Sequence, residues 1–171
     1  MRSLWILLLA GCGGRLVIPL YDEVPVLTRH PALRGKVLTA DTYVPKASGT
    51  VSGDEKITVL GMVSYEGDIP LSEARTLSRS ILLAGSPSAL ACLPQIIVVR
   101  PCEGTAIVCD YYRFLQDKDS RQDLPLRSDD ILVVPELYNP DQVPCAPEWV
   151  PINDFLLGKL DRSQLVQALH K

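Results

Sequence analysis

Three groups of residues have types and spacings suited to chemistry. Cys12 follows Leu9-Ala10-Gly11, behind an apolar run over residues 4–9 and a single early positive charge, Arg2. Only a thiol forms a thioether with a lipid, and small side chains before it let an extended backbone enter a peptidase groove. The second group is Asp117-x-Asp119-x-Arg121-x-Asp123, spaced like the start of a calcium loop. Its fifth position is Arg121, its sixth Gln122 instead of glycine, and its twelfth Ser128 instead of glutamate, so it reads as a solvated polar loop. The third group is the remaining cysteines, Cys92, Cys102, Cys109 and Cys145. No C-x-x-C and no nearby histidine accompany them, which argues against a metal. His30 and His170 lie near opposite ends of the chain, with no serine or cysteine in a nucleophile-elbow context, so a hydrolytic triad has no support.

The segment ending at Cys12 resembles the bacterial lipobox, where the chain is cut before a cysteine that carries diacylglycerol. Gly11-Cys12-Gly13-Gly14 then belongs to a processing site and not to a phosphate-cradling loop. The alternative is an uncleaved apolar start with an incidental cysteine. A transmembrane helix is the weakest option, because spanning needs about 20 apolar residues. Gly13 stands where an aspartate holds some lipoproteins in the inner membrane, which favours the outer one. Setting residues 1–11 aside leaves about 160 residues, enough for one domain with a core.

The chain has 17 basic and 20 acidic residues, a net charge of −3, and loss of Arg2 adds one more negative unit. That balance, without a basic block, argues against nucleic acid or anionic headgroups as partners. Fourteen prolines favour short elements and many turns over long helices. Outside the cytoplasm the four downstream thiols allow two disulfides in three connectivities. If Glu103-Gly104 closes a two-residue hairpin, Cys102 faces Thr105 and Cys109 faces Val98. That pair is then out of register for a bridge, and Cys109 reads as a buried free thiol.

These residues need elements to position them. Residues 12–54 read as a tether and lead-in, rich in turn formers, with one short strand at Thr42-Tyr43-Val44. Residues 56–64 are β-branched and apolar, a strand, followed by a turn at Glu66-Gly67-Asp68 and a short return strand, Ile69-Pro70-Leu71, suited to an edge. Thr76 caps a helix with Leu77, Ile81 and Ala84 on one face, and Gly85 stops it. Residues 86–95 form an irregular link. Strands follow over residues 96–100 and 105–109, then a helical turn over 111–115, a polar loop over 116–123 and a last strand over 130–135. Residues 137–151 read as a proline-rich connector. One helical turn over 153–157 stops at Gly158, and Asp161 starts a helix with Gln164 placed as in a capping box and Leu160 able to staple onto Leu165. Its stripe of Leu165, Val166 and Leu169 either packs on its own domain or docks onto a neighbouring subunit.

A helix against a mixed sheet in this order fits an α+β β-grasp arrangement. Residues 56–136 resemble the SLBB domain, the soluble ligand binding β-grasp module of polysaccharide export lipoproteins. The resemblance rests on Val59-Leu60-Gly61-Met62-Val63, Glu66-Gly67, Thr76-Leu77, Ala84-Gly85-Ser86, Val98-Val99-Arg100 and Asp130-Ile131-Leu132-Val133-Val134-Pro135, in the family's order. Ser86 replaces the second glycine of A-G-G, Glu66 the proline of P-G, and Leu132 an isoleucine. The export domain normally upstream, with its tyrosine-led motif ending in P-G-D, has no convincing copy here. Asp41-Thr42-Tyr43-Val44-Pro45 resembles only the ending of a preceding unit, one residue short.

The resemblance implies one helix on a mixed sheet over residues 55–136, between an irregular lead-in and a 137–171 tail ending in a helix. It implies a lipid-anchored, periplasm-facing outer-membrane protein of polysaccharide export, or a glycan-binding accessory, and not an enzyme. Its expected partners are polysaccharide or export-machinery proteins, the membrane through the anchor, and a second copy of itself; no cofactor or metal is expected. The rival is a structural envelope lipoprotein that binds a protein partner. Cys12 is the expected lipidation site. Exposed turns at sheet ends carry recognition on such scaffolds, which makes Tyr65, Glu66, Gly67, Asp68 and Arg100 the candidate ligand residues.

Overall fold

Two runs, Ile96-Ile97-Val98-Val99 and Ile131-Leu132-Val133-Val134, are apolar at every position, not at alternate ones, and every residue in them is fully buried. A strand reads this way only when both faces of its sheet are covered. The computed structural model of the protein describes residues 35–45, 54–137 and 148–170, and there the cover is on both sides. Six strands, β1 (Val37–Thr39), β2 (Lys56–Gly61), β3 (Gly67–Pro70), β4 (Ile96–Arg100), β5 (Thr105–Cys109) and β6 (Ile131–Val134), form one mixed sheet. Among the described residues four helices, α1 (Leu77–Leu83), α2 (Tyr111–Asp117), α3 (Trp149–Leu156) and α4 (Arg162–Leu169), join the sheet in an α+β fold.

The sheet order is β1-β5-β4-β6-β2-β3. β2 with β3 and β4 with β5 are antiparallel hairpins, β6 lies between them antiparallel to β4 and parallel to β2, and β1 runs parallel to β5. Ile57, Val59, Ile96, Val98, Ile107, Leu132 and Val134 face a core shared with Leu77, Ile81 and Ala84 of α1. The intervening residues Leu60, Ile97, Val99, Ile131 and Val133 face a second core, built with Trp149, Ile152 and Leu156 of α3 and Leu165 and Leu169 of α4. The expectation of one covering helix is therefore corrected. The stripe of α4 is spent on its own sheet, and Val166 packs there too.

Other corrections have local causes. The lead-in strand is Val37–Thr39, not residues 42–44, because a turn follows it in which Thr42 and Tyr43 both donate backbone N–H groups to the Thr39 carbonyl at 3.0 Å. The tail helix begins at Trp149, ahead of the expected helical turn. Pro151 stands in its first turn, where the backbone N–H has no helical partner to lose. The β4–β5 hairpin pairs Arg100 with Thr105 and Cys109 with Ile96. Pro101 has no N–H, and Pro101–Glu103 coils into a 3-10 turn closed by Gly104 at φ +59°, which makes the loop four residues long. Cys92, Cys102 and Cys109 are unbridged, Cys102 exposed and the other two buried; Cys12 and Cys145 lie outside the described residues. Burial pushes the Cys92 thiol up to about 11 and raises Cys109 as well, so neither is a ready nucleophile.

β2 stops at Gly61 instead of running to Ser64. Gly61 has φ +95°, and a Cβ there would sit 2.2 Å from the Val134 carbonyl oxygen, which also accepts the Met62 N–H at 2.7 Å. The turn is thereby moved to residues 62–66, and Gly67 and Asp68 fall inside β3. Pro70 ends β3 on the sheet edge, as expected. Thr76 caps α1, and at its far end Ser86 N–H reaches the Ile81 carbonyl at 2.9 Å in a Schellman-type ending. Gly85 and Ser86 both hold positive φ, +80° and +72°, so the serine carries a left-handed conformation that a glycine would hold without strain.

Gly61→Ala combines a backbone clash with a forbidden φ, and we expect a loss of about 3 kcal/mol or more, or failure to fold. Gly104→Ala, with positive φ but no atom within 4 Å, should cost only about 1 to 2 kcal/mol. Urea unfolding of the two variants against wild type measures the difference. Equal losses would mean that the approach to Val134 does not matter.

Candidate functional site

The candidate residues divide into a buried cluster and an exposed turn. Arg100 ends β4 and Asp130 directly precedes β6, adjacent strands in the sheet, so the side chains meet in the interior. Both are fully buried. Arg100 Nε donates to Asp130 Oδ1 at 3.1 Å and Nη2 to Oδ2 at 3.0 Å, a bidentate pair. Nη2 also donates to the Pro125 carbonyl at 2.8 Å, and Nη1 donates to the Tyr43 hydroxyl. The Tyr43 ring centre lies 5.0 Å from the guanidinium carbon. Asp130 Oδ2 further accepts the Arg127 N–H at 2.9 Å. Burial opposes both charges, pushing the carboxyl up and the guanidinium down. The bonds from Asp130 outweigh burial at Arg100 and hold it above its ordinary range. Every donor of Arg100 is thus directed inward, and the residue does not reach the surface as a ligand contact.

The turn expected to bind ligand is fastened on three sides. Ser64 Oγ donates to the Gly85 carbonyl at 2.8 Å, and Tyr65 N–H to the Ala84 carbonyl at 3.0 Å. Glu66 accepts the Gly61 N–H at 2.5 Å, while its other oxygen pairs with His170 Nδ1 at 2.8 Å. That contact joins the end of α4 to the β2–β3 turn. Asp68 accepts from Lys56 and, at 2.7 Å, from the Thr58 hydroxyl. The Lys56 hydrogen bond leads the lowering of the Asp68 carboxyl below its ordinary value. Gly67 lies in β3. Of the five candidates, Tyr65 alone presents an unengaged side chain, 74 % exposed.

Two of the three carboxylates at calcium-loop spacing are likewise occupied. Asp119 meets Arg113 at 2.7 Å and Arg121 at 2.8 Å, and Asp123 accepts the Ser78 N–H at 2.7 Å and its hydroxyl at 2.9 Å. Among the described residues no group of three His, Cys, Asp or Glu side chains is placed to hold a metal ion, and no helix is long and apolar enough to cross a membrane. The sequence expectations do not include the Tyr43 ring on Arg100 or two exposed arginines, Arg75 and Arg79, beside α1. Arg79 has a readable signal, since within α1 it falls opposite Leu77, Ile81 and Ala84; Arg75 precedes the cap.

The chain matches no protein-family model and no curated protein.

Two measurements follow from this geometry. Arg100→Ala leaves Asp130 buried without its partner, and we expect a loss of about 3 to 5 kcal/mol. The double variant Arg100→Met, Asp130→Leu should recover part of it, because no isolated charge remains. A double variant less stable than the sum of the singles in urea unfolding would contradict the pairing. The second concerns Asp68, whose folded pKa lies below its unfolded value near 3.8. Its contribution is complete above that pH and is lost as pH falls through the lower folded value. Asp68 is partly solvated, so the amount is below about 1 kcal/mol. Asp68→Asn should therefore destabilise at pH 7 and converge with wild type in acid, read from thermal midpoints across pH.

Proposed function

We propose that this chain is a lipid-anchored envelope protein built on an SLBB-like β-grasp unit, acting in polysaccharide export or as a glycan-binding accessory. One observation carries the reading. The sequence pieces behind the resemblance, distant along the chain, meet one another in space. The glycine of Val59-Leu60-Gly61-Met62-Val63 abuts Val134 of the final motif. Ala84-Gly85-Ser86 holds the turn at Ser64 and Tyr65. The arginine closing Val98-Val99-Arg100 pairs with the aspartate opening Asp130-Ile131-Leu132. Residues that recur as a pattern for structural reasons should touch in this way.

The topology supports the same reading. β2 to β6 form two hairpins around α1 in sequence, β6 is inserted between them in the sheet, and α1 covers one face. On this reading β1 extends the sheet beside β5, and α3 and α4 close the face that α1 leaves open. Cys12, outside the described residues, is the proposed lipid attachment, facing the periplasm from the outer membrane. The proposed role is that of an accessory. The rival, a structural lipoprotein with a protein partner, draws on the exposed apolar side chains Tyr65, Leu82, Leu90 and Leu137.

Palmitate labelling of wild type and Cys12→Ala in a bacterial host, with membrane fractionation, tests the anchor. Label should enter the wild type alone, and the variant should leave the membrane fraction; label retained in the variant would sink the proposal. Titrating envelope polysaccharides against the protein should shift amide resonances around Tyr65. Silence with every polysaccharide, together with capture of a protein partner through the same residues, favours the rival.

A further inference from the structure

β1 is an outsider to the sheet that it extends. β2 to β6 pair among themselves without it, and it adds three residues, in parallel, to the edge of β5. Residues 36–43, which hold β1 and the turn after it, bury only two side chains fully, Val37 and Ala40. Ala106 N–H donates to the Lys36 carbonyl at 2.7 Å, and Ala40 N–H to the Val108 carbonyl at 2.9 Å. The other fasteners are polar side chains. Lys36 Nζ donates to the Leu156 carbonyl at the end of α3. Asp41 meets Arg113 at 3.1 Å and Arg121 at 3.3 Å, and accepts from Gln122 at 3.2 Å. The Tyr43 hydroxyl accepts from Arg100 Nη1 and donates to Glu103 at 3.5 Å. Val44, next along, is 80 % exposed, so the hold on the domain ends at Tyr43.

We infer that residues 36–43 form a detachable strap, and that the edge of β5 is a strand-docking site taken by the same segment of a second copy. The inference does not depend on the anchor or on the glycan role. The side chains in the Asp41 pairs are a third or more exposed, and such pairs add little and weaken with salt. A segment with two buried apolar side chains and solvated fasteners belongs to the low end of local stability. Its turn is stitched to itself, Thr39 N–H donating to Thr42 Oγ1 and the Thr39 carbonyl accepting from Thr42 and Tyr43. Lifting the strap leaves Arg100 on Asp130 and Pro125, which belong to the domain, but strips Nη1, the Ala106 N–H and the Val108 carbonyl. It also opens an apolar strand edge to pairing with another chain. The vacated site calls for a parallel strand, an acid against Arg113 and Arg121, and a hydroxyl over Arg100. The segment shown to satisfy all three is the strap itself. Residues 46–53, which follow it, reach about 28 Å when extended, so the strap can pass to a neighbour. Exchange in both directions closes a two-fold dimer that keeps every strap contact of the monomer.

The test uses the full-length protein in detergent and a labelled synthetic peptide of residues 35–45. In the wild type the strap competes from within the chain, so the peptide should bind weakly. The variant Asp41→Ala, Tyr43→Ala frees the site and should bind the wild-type peptide at least about tenfold more tightly. A peptide with the same two changes should bind neither protein. In the wild type, which needs no variant to fold, the Ala40 and Ala106 amides should exchange with solvent faster than those of β4, and faster still as salt rises. Sedimentation should show a dimer that grows with concentration and dissolves in excess peptide. A folded variant that ignores the peptide, equal binding of both peptides, or Ala40 and Ala106 amides as slow as those of β4 overturns the strap. A wild type that stays monomeric, or a dimer that excess peptide leaves intact, overturns the exchange.

Discussion

The Arg100–Asp130 pair is the constraint on which the rest of the structure depends. A guanidinium and a carboxylate removed from water face a penalty of several kcal/mol each, which only close geometry and additional hydrogen bonds offset. The fold supplies both, and each additional bond recruits a different segment. Tyr43 brings the end of the lead-in over the guanidinium, Pro125 and Arg127 bring the loop before β6, and β4 and β6 must lie side by side for the charges to meet. A register slip of one residue would leave two charges unpaired in the interior. Burial at this cost is a way of specifying one strand pairing among several apolar ones, since β4 and β6 are otherwise similar runs of valine, isoleucine and leucine.

That specification matters because the sheet is covered on both faces. An alternating strand carries its own register signal, since a slip exposes its apolar side. Strands apolar at every position do not, and their register must be set elsewhere. Three fixed points do so here: the ion pair, the close approach of Gly61 to Val134, and the Pro101 break that ends β4 after Arg100. The C-terminal helices then close the second face and are tied to the sheet edge by His170 to Glu66 and by Arg162 to Thr58. The β2–β3 turn is thus braced from both sides, by the end of α1 and the end of α4.

Much of this was legible in the sequence, for identifiable reasons. β4, β5 and β6 are dense β-branched runs between turn formers, α1 has a threonine cap and a glycine stop, and α4 has its Asp161–Gln164 capping box, all local signals. β1 was not, because three residues hold it to a partner far later in the chain, and no periodicity exists over so short a span. α3 was obscured by its proline, which occupies a first-turn position that a helix tolerates. The site was legible only in part. Arg100 at a strand end looks like a loop residue until its partner thirty positions on is brought beside it. Glu66 and Asp68 look like free turn carboxylates until His170, Lys56 and Thr58 claim them.

The occupation of these groups decides where recognition can take place. Both oxygens of Glu66 and of Asp68 already accept from donors of the fold, so a ligand there competes with those bonds. That removes Glu66 and Asp68 as inexpensive contacts, and burial removes Arg100. What remains of the turn is Tyr65, an exposed aromatic ring whose backbone is fixed, so that its ordering entropy is already spent before anything binds. A lone ring offers little selectivity. At this end of the sheet, then, the fold spends the turn's own polar groups on itself and leaves the Tyr65 ring exposed.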